Sequence, residues 1–350
     1  MIVRDALEHA KHWVDTEGSR IPGFVGAYVA GRMASLPLDT PFSAWRDVDL
    51  VIATSDAEQA RASRLEMLHK GVIVECSVLD AALFQKFEAV VSNPEHADNV
   101  REGRILADPT GAFQTLHEQV AREFPRRTWV KARCDSHRRA VLGHLEQALQ
   151  DAGAGAIPRM LLNFHAAMVY LSGLVALSHL KPITVRQCYV LSGELLERQG
   201  HAALHEECLA LLGCADLSRQ EVEGYLADFM RAFDRAVEVK KGDVPYGFKL
   251  RAHLRGAYLE GTREMIDAGR HRESMFWFFG LYFLALMVIQ NDAPEAEKAA
   301  FQARFHAFFG RLGFLPNAPW AARFQQTKAV FEKLSRAADE AIASNTSLPD

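Results

Sequence analysis

No CxxC pair occurs in these 350 residues, and the five cysteines, Cys76, Cys134, Cys188, Cys208 and Cys214, are odd in number and scattered. That spacing spells out no zinc site and no disulfide framework, so the thiols read as reduced and the chain as cytoplasmic. A basic excess is missing too. Forty Lys and Arg against 44 Asp and Glu leave a net charge of -4 and a pI near 6.4, which gives no global positive field for a polynucleotide backbone. A small-molecule partner is expected in place of RNA or DNA. The opening MIVRDALEHAKHWVDTEG lacks the apolar core of a signal peptide and carries acids in a helical pattern instead. Uninterrupted apolar runs are short: Met160 to Leu180 is broken by Asn163, His165, Ser172 and His179, and Met275 to Ile289 is apolar for only 15 residues. A bilayer needs about 20. Both segments are expected as buried bundle helices with no membrane partner, and His165 as a core histidine.

What is present is an ordinary globular composition, 49% hydrophobic and 24% charged. At this length two domains are expected, since one core usually serves about 100 to 200 residues. The most informative stretch is Gly26 to Leu50, GAYVAGRMASLPLDTPFSAWRDVDL. Asp47 and Asp49 precede the apolar run Leu50 to Ala53, which reads as a buried strand. Side chains alternate along a strand, so both carboxylates share a face, with Cα atoms roughly 6 to 7 Å apart. Such like charges repel, and a hard divalent cation is the usual remedy. Val25 to Ala30 reads as the preceding strand, ended by Gly31, where a turn into a helix would aim backbone N–H groups at an anion. Val72 to Val78 reads as a third strand with Glu75 its lone acid, an expensive group to bury without compensation.

Between these strands Ser55-Asp56 caps a helix expected to run to about His69, with Gly71 just past its end. That crossover would set Glu75 beside Asp49. Elsewhere the pattern predicts a helix over 2–14, a long loop over 34–45 in which Asp39 is a turn former, and a helix over 81–91 closed by Asn93-Pro94. A short strand over 104–106, a turn at Asp108 to Gly111 and a helix over 113–124 follow. Pro125 marks a boundary. The basic cluster beyond it, Arg126, Arg127, Lys131, Arg133, His137, Arg138 and Arg139, faces either a triphosphate or solvent. The remainder has no strand pattern and reads as helical, with a polar, frayed tail over 344–350.

These motifs resemble the polymerase-beta-type nucleotidyltransferase superfamily, in particular the bacterial antibiotic (aminoglycoside-type) nucleotidyltransferase-like proteins with a helical C-terminal domain. The family motif is Gly-Ser, a spacer, Asp-x-Asp on a strand and a third acid on a neighbouring strand. Here Gly31 matches the glycine, Asp47 and Asp49 the metal-binding pair, and Glu75 in GVIVECSVLD the third acid. The segments Gly261 to Ile266 and His271 to Trp277 also resemble a helical-domain signature of this group. Two departures stand out: Arg32 replaces the phosphate-contacting serine, and Arg46 replaces a serine found before the first aspartate in many members.

The resemblance implies an α+β fold, with a polymerase-beta-like nucleotidyltransferase domain on a mixed sheet at 1–125 and an all-α helical bundle at 126–350. It implies transfer of a nucleoside monophosphate from an NTP donor, ATP or another, to a small-molecule hydroxyl acceptor with release of pyrophosphate. Asp47, Asp49 and Glu75 would hold Mg²⁺ or Mn²⁺ and serve catalysis. Gly31 and Arg32 would bind the nucleotide, and Glu273, in a turn that is either a helix cap or part of an acceptor site, is the candidate acceptor group. A homo-oligomer is compatible with this reading. The alternative is a catalytically impaired nucleotide-binding or protein-binding module, regulatory or toxin–antitoxin-like, for which Arg32 and Arg46 speak.

Overall fold

The computed structural model describes residues 1–62, 64–242, 244 and 246–350. The chain forms two compact units, Met1–Ser136 with Thr346–Asp350, and His137–Asn345. The first is α+β, as expected. It contains α1 (Val3–Thr16), β1 (Phe24–Val29), α2 (Gly31–Ser35), β2 (Asp47–Thr54), α3 (Ala57–Ala62), β3 (Arg64–His69), β4 (Val72–Asp80), α4 (Phe87–Val91), α5 (Pro94–Glu102), β5 (Arg104–Ala107) and α6 (Ala112–Glu123). The five strands make one mixed sheet in the order β3-β4-β2-β1-β5, with β2 and β4 parallel and the other pairs antiparallel.

Alternation along the strands divides the core in two. Val48, Leu50 and Ile52 of β2 and Val72, Val74, Cys76 and Val78 of β4 point to one face, where α1 covers them with Val3, Ala6, Leu7, Ala10, Trp13 and Val14. That helical spacing buries one stripe of α1. On the other face Tyr28, Val51 and Ala53 pack with Val90, Val100, Phe113, Leu116 and Val120 from α4, α5 and α6. These helices cover the half of β2 that follows its acids.

One element departs from the sequence pattern. The helix read through to His69 stops at α3, and Arg64–His69 is a strand instead; residue 63 of that reading lies outside the described residues. The segment RLEMLH suits a helix by propensity, but Lys70 at φ 50° and Gly71 at φ 80° fold it back on β4 as a hairpin. Two consecutive left-handed residues match the right-handed twist of antiparallel strands, so tertiary pairing overrides local preference. The parallel crossover from β2 to β4 survives because α3 and β3 together supply the connection. The segment 81–91 also divides, into a 3-10 turn at Ala81–Gln85 and α4, and Asn93 caps a further helix, α5, by accepting from the Glu95 and His96 N–H groups.

The first compact unit continues past Pro125, the division read from the sequence, into α7 (Arg127–Gly153), whose residues to Ser136 count with it. Arg133 supplies a physical reason. It is fully buried, donates to the Val91 carbonyl at 2.8 Å and the Phe124 carbonyl at 2.7 Å, and lies over the Phe124 ring. It thereby satisfies carbonyls at the ends of α4 and α6, which need partners. Burial pushes its guanidinium down to about 10, still charged at neutral pH. Elsewhere in the basic cluster the charges meet local acids: Arg126 pairs with Glu123, Arg127 with Asp350, and Arg138 with Asp339, while Lys131 and Arg139 are exposed. Nor is the tail frayed. Leu348 is buried, and the Pro349 carbonyl accepts from the Arg127 N–H at 2.8 Å.

The second unit continues α7 and adds α8 (Ile157–Ser178), α9 (Cys188–Arg198), α10 (Ala202–Leu211), α11 (Arg219–Val239), α12 (Arg255–Asp267), α13 (His271–Asp292), α14 (Glu295–Leu312) and α15 (Trp320–Ser344). Among the described residues it has no strand. Its core is aromatic, with Phe229, Phe278, Tyr282 and Phe308 in mutual ring contact. The apolar run at 275–289 belongs to a 22-residue helix, about 33 Å long at 1.5 Å per residue. By length and composition, α8 and α13 could each cross a membrane, yet 67% and 56% of their apolar windows are buried in the protein. His165 on α8 stacks on Phe276 at 4.3 Å, and burial pushes its imidazole down to about 4.

Candidate metal centre

β2 delivers Asp47 and Asp49 to one face, and the parallel register sets Asp49 directly beside Glu75 of β4. All three are half-buried, and one carboxylate oxygen from each lies within 4.8 Å of the others. The three acids picked out by motif are thus brought together.

A glycine is required beside them. Gly31 sits at φ 62°, and a Cβ there would lie 2.6 Å from Asp49 Oδ2. The turn from β1 into α2 is held closely: the Ala30 N–H donates to the Asp49 carbonyl at 2.8 Å, and the Gly31 N–H donates to Asn99 Oδ1 on α5 at 3.3 Å. From the other end Arg104 of β5 donates to the Ala34 and Leu36 carbonyls. Gly31 therefore makes room for an acid, while its own N–H is engaged by Asn99 and α2 is a helix of only five residues. The sequence had assigned this glycine to phosphate. Asn99 carried no sequence signal, because its role depends on α5 packing against the turn.

The donor set fits a hard divalent cation. Three carboxylates suit Mg²⁺ or Mn²⁺, and octahedral ligands at about 2.1 Å lie about 3 Å apart in cis, so side-chain rotation alone could close the cluster.

No protein-family model and no curated protein matches the chain. Among solved structures it is similar to a nucleotidyltransferase-like protein from Exiguobacterium sibiricum 255-15, at 15% identity and a TM-score of 0.32, over 88% of this chain and 92% of that one. A likeness this loose carries nothing about the site.

The remaining candidates fall as follows. Arg32 is exposed on α2, next to Gly31. Arg46 stacks its guanidinium 5.3 Å over the Trp45 ring, immediately before Asp47. Glu273 lies in the helical unit, buried at 4% exposure and hydrogen-bonded to His205 Nε2 at 3.1 Å. Burial pushes its carboxyl up, but the His205 hydrogen bond, the backbone and Arg272 outweigh it and hold the carboxyl below the usual range. That pairing gives Glu273 a structural use at the start of α13.

One acid escaped the sequence. Glu66 of β3 is 5% exposed and stands opposite Glu75 in the β3–β4 register. Reading 64–69 as helix hid it; the available signal was two strand-length runs separated by Lys70-Gly71.

Proposed function

We propose that this chain transfers a nucleoside monophosphate from a nucleoside triphosphate to the hydroxyl of a small acceptor, releasing pyrophosphate. The observation that carries the reading is the convergence of Asp47, Asp49 and Glu75 on one face of a mixed sheet. A divalent ion bound by these carboxylates would neutralise phosphate charge and polarise the α-phosphoryl group. Asp47 and Asp49 hold that ion. Glu75 completes its ligand set or takes the acceptor proton on a carboxylate oxygen as the new O–Pα bond forms and the bond to the pyrophosphate oxygen breaks. Arg32 offers a planar fork of donors to the β- and γ-phosphate oxygens.

The test is a screen of the four nucleoside triphosphates with a panel of sugar, aminoglycoside and nucleoside acceptors, read by pyrophosphate release. Acceptor-dependent release that EDTA abolishes and Mg²⁺ or Mn²⁺ restores is expected. A second reading, a nucleotide-binding module without catalysis, is favoured by Arg32 in the serine position and by the commitment of the Gly31 N–H to Asn99. It predicts triphosphate binding with no pyrophosphate release for any acceptor.

A further inference from the structure

Helix α1 and the edge strand β3 meet at a pair of histidines on the far side of the sheet from the acids. Met67 of β3 packs against the core beneath α1, and alternation puts His69 on that face, whereas Glu66 faces the other way with Glu75 and Asp49. His12 of α1 meets it there. His12 Nδ1 lies 3.2 Å from His69 Nε2, with the two rings stacked at 5.3 Å between centroids. His12 is exposed and His69 half-buried, so an ion can reach the pair from solvent.

A neutral imidazole holds its one proton on either nitrogen. With the protons on His12 Nε2 and His69 Nδ1, the two facing nitrogens each present a lone pair. Imidazole nitrogens bound at about 2.05 Å to one tetrahedral ion lie about 3.3 Å apart, close to the separation here. Burial, with His12, Lys70 and His9 acting in the same direction and Glu17 against them, holds the His69 imidazole below its ordinary range, in the neutral form that ligates. His9 stands three residues before His12, a neighbouring position on the surface of α1. Imidazole donors suit Zn²⁺, Ni²⁺ and Cu²⁺, whereas the carboxylates on the other face suit Mg²⁺ and Mn²⁺.

We propose that His12 and His69 form a binding site for a transition-metal dication of the Zn²⁺ type, with His9 as its third donor. The site is independent of the acid cluster and of the reaction proposed for it. An ion held there ties the β3–β4 hairpin to α1 through ligands 57 residues apart in the chain, and so favours the folded chain that brings them together.

The experiment is calorimetric titration of Zn²⁺ into the intact chain in excess Mg²⁺, for the wild type, His9→Gln, His12→Gln and His69→Gln, with circular dichroism confirming each fold. The wild type is expected to bind one more Zn²⁺ than His12→Gln and than His69→Gln, and His9→Gln to bind that ion at least tenfold more weakly. His12 is exposed on its helix, so His12→Gln keeps the test valid even if His69→Gln disturbs the hairpin. The same Zn²⁺ count in the wild type and His12→Gln, or no Zn²⁺ bound by the wild type, overturns the site; unaltered affinity in His9→Gln overturns the third donor. Neither result bears on Asp47, Asp49 and Glu75.

Discussion

At Gly31 two penalties would fall on any side chain, the left-handed φ of 62° and the contact with Asp49 Oδ2. Gly31→Ala is predicted to lose about 1 to 3 kcal/mol in urea melts and, because relief requires Asp49 to move, to weaken Mn²⁺ binding as well. Unchanged stability would mean that the turn is looser than its geometry implies. Asp47→Asn and Asp49→Asn remove one of three clustered charges, so they should abolish metal binding while leaving the thermal midpoint unchanged or slightly raised. Variants that unfold yet still bind metal would make these acids structural. At Arg32 the charge is the question: Arg32→Ala should weaken triphosphate binding more than monophosphate binding, in calorimetric titrations of each. Equal losses would place the guanidinium away from the leaving phosphates.

Gly71 isolates the contribution of the β3–β4 hairpin, because a Cβ there meets nothing within 4 Å and only its φ of 80° is at stake. Gly71→Ala should therefore cost about 1 kcal/mol, read by denaturant unfolding. That hairpin also marks where the sequence was opaque. The strand carrying Asp47 and Asp49 was legible from its carboxylates and its apolar continuation, and β4 from its one acid in an apolar run. The residues of β3 prefer a helix in isolation, and only pairing with β4 makes them a strand, so Glu66 and His69 stayed hidden. The extension of the first unit beyond Pro125 was hidden for a related reason: an arginine among six other basic residues looks solvated, and nothing local says that Arg133 caps two other helices. Asn99 likewise acts through a partner 68 residues away.

For the whole molecule, acid sensitivity should be set in part by buried histidines. Burial pushes both His137 and His165 down to about 4 from an ordinary value of 6.5. Between those values the unfolded chain binds protons that the folded chain refuses, so stability is full above about pH 6.5 and falls as pH drops toward 4, by roughly 3 kcal/mol for each ring. His165 borders a small apolar cavity of about 10 Å³ lined in part by Phe164, Cys214 and Phe276. His165→Phe should therefore fold and should flatten the decline of the thermal midpoint between pH 7 and pH 4.5; an unaltered decline would assign it to other groups. The activity claim stands apart from this, since it needs the three acids to recruit a metal for a triphosphate. The most direct measurement is calorimetric titration of each nucleoside triphosphate into the wild type and Asp49→Asn, with Mg²⁺ and with EDTA. The account predicts binding of at least one triphosphate that requires Mg²⁺ and disappears in Asp49→Asn; binding that is indifferent to both the metal and the substitution would contradict it.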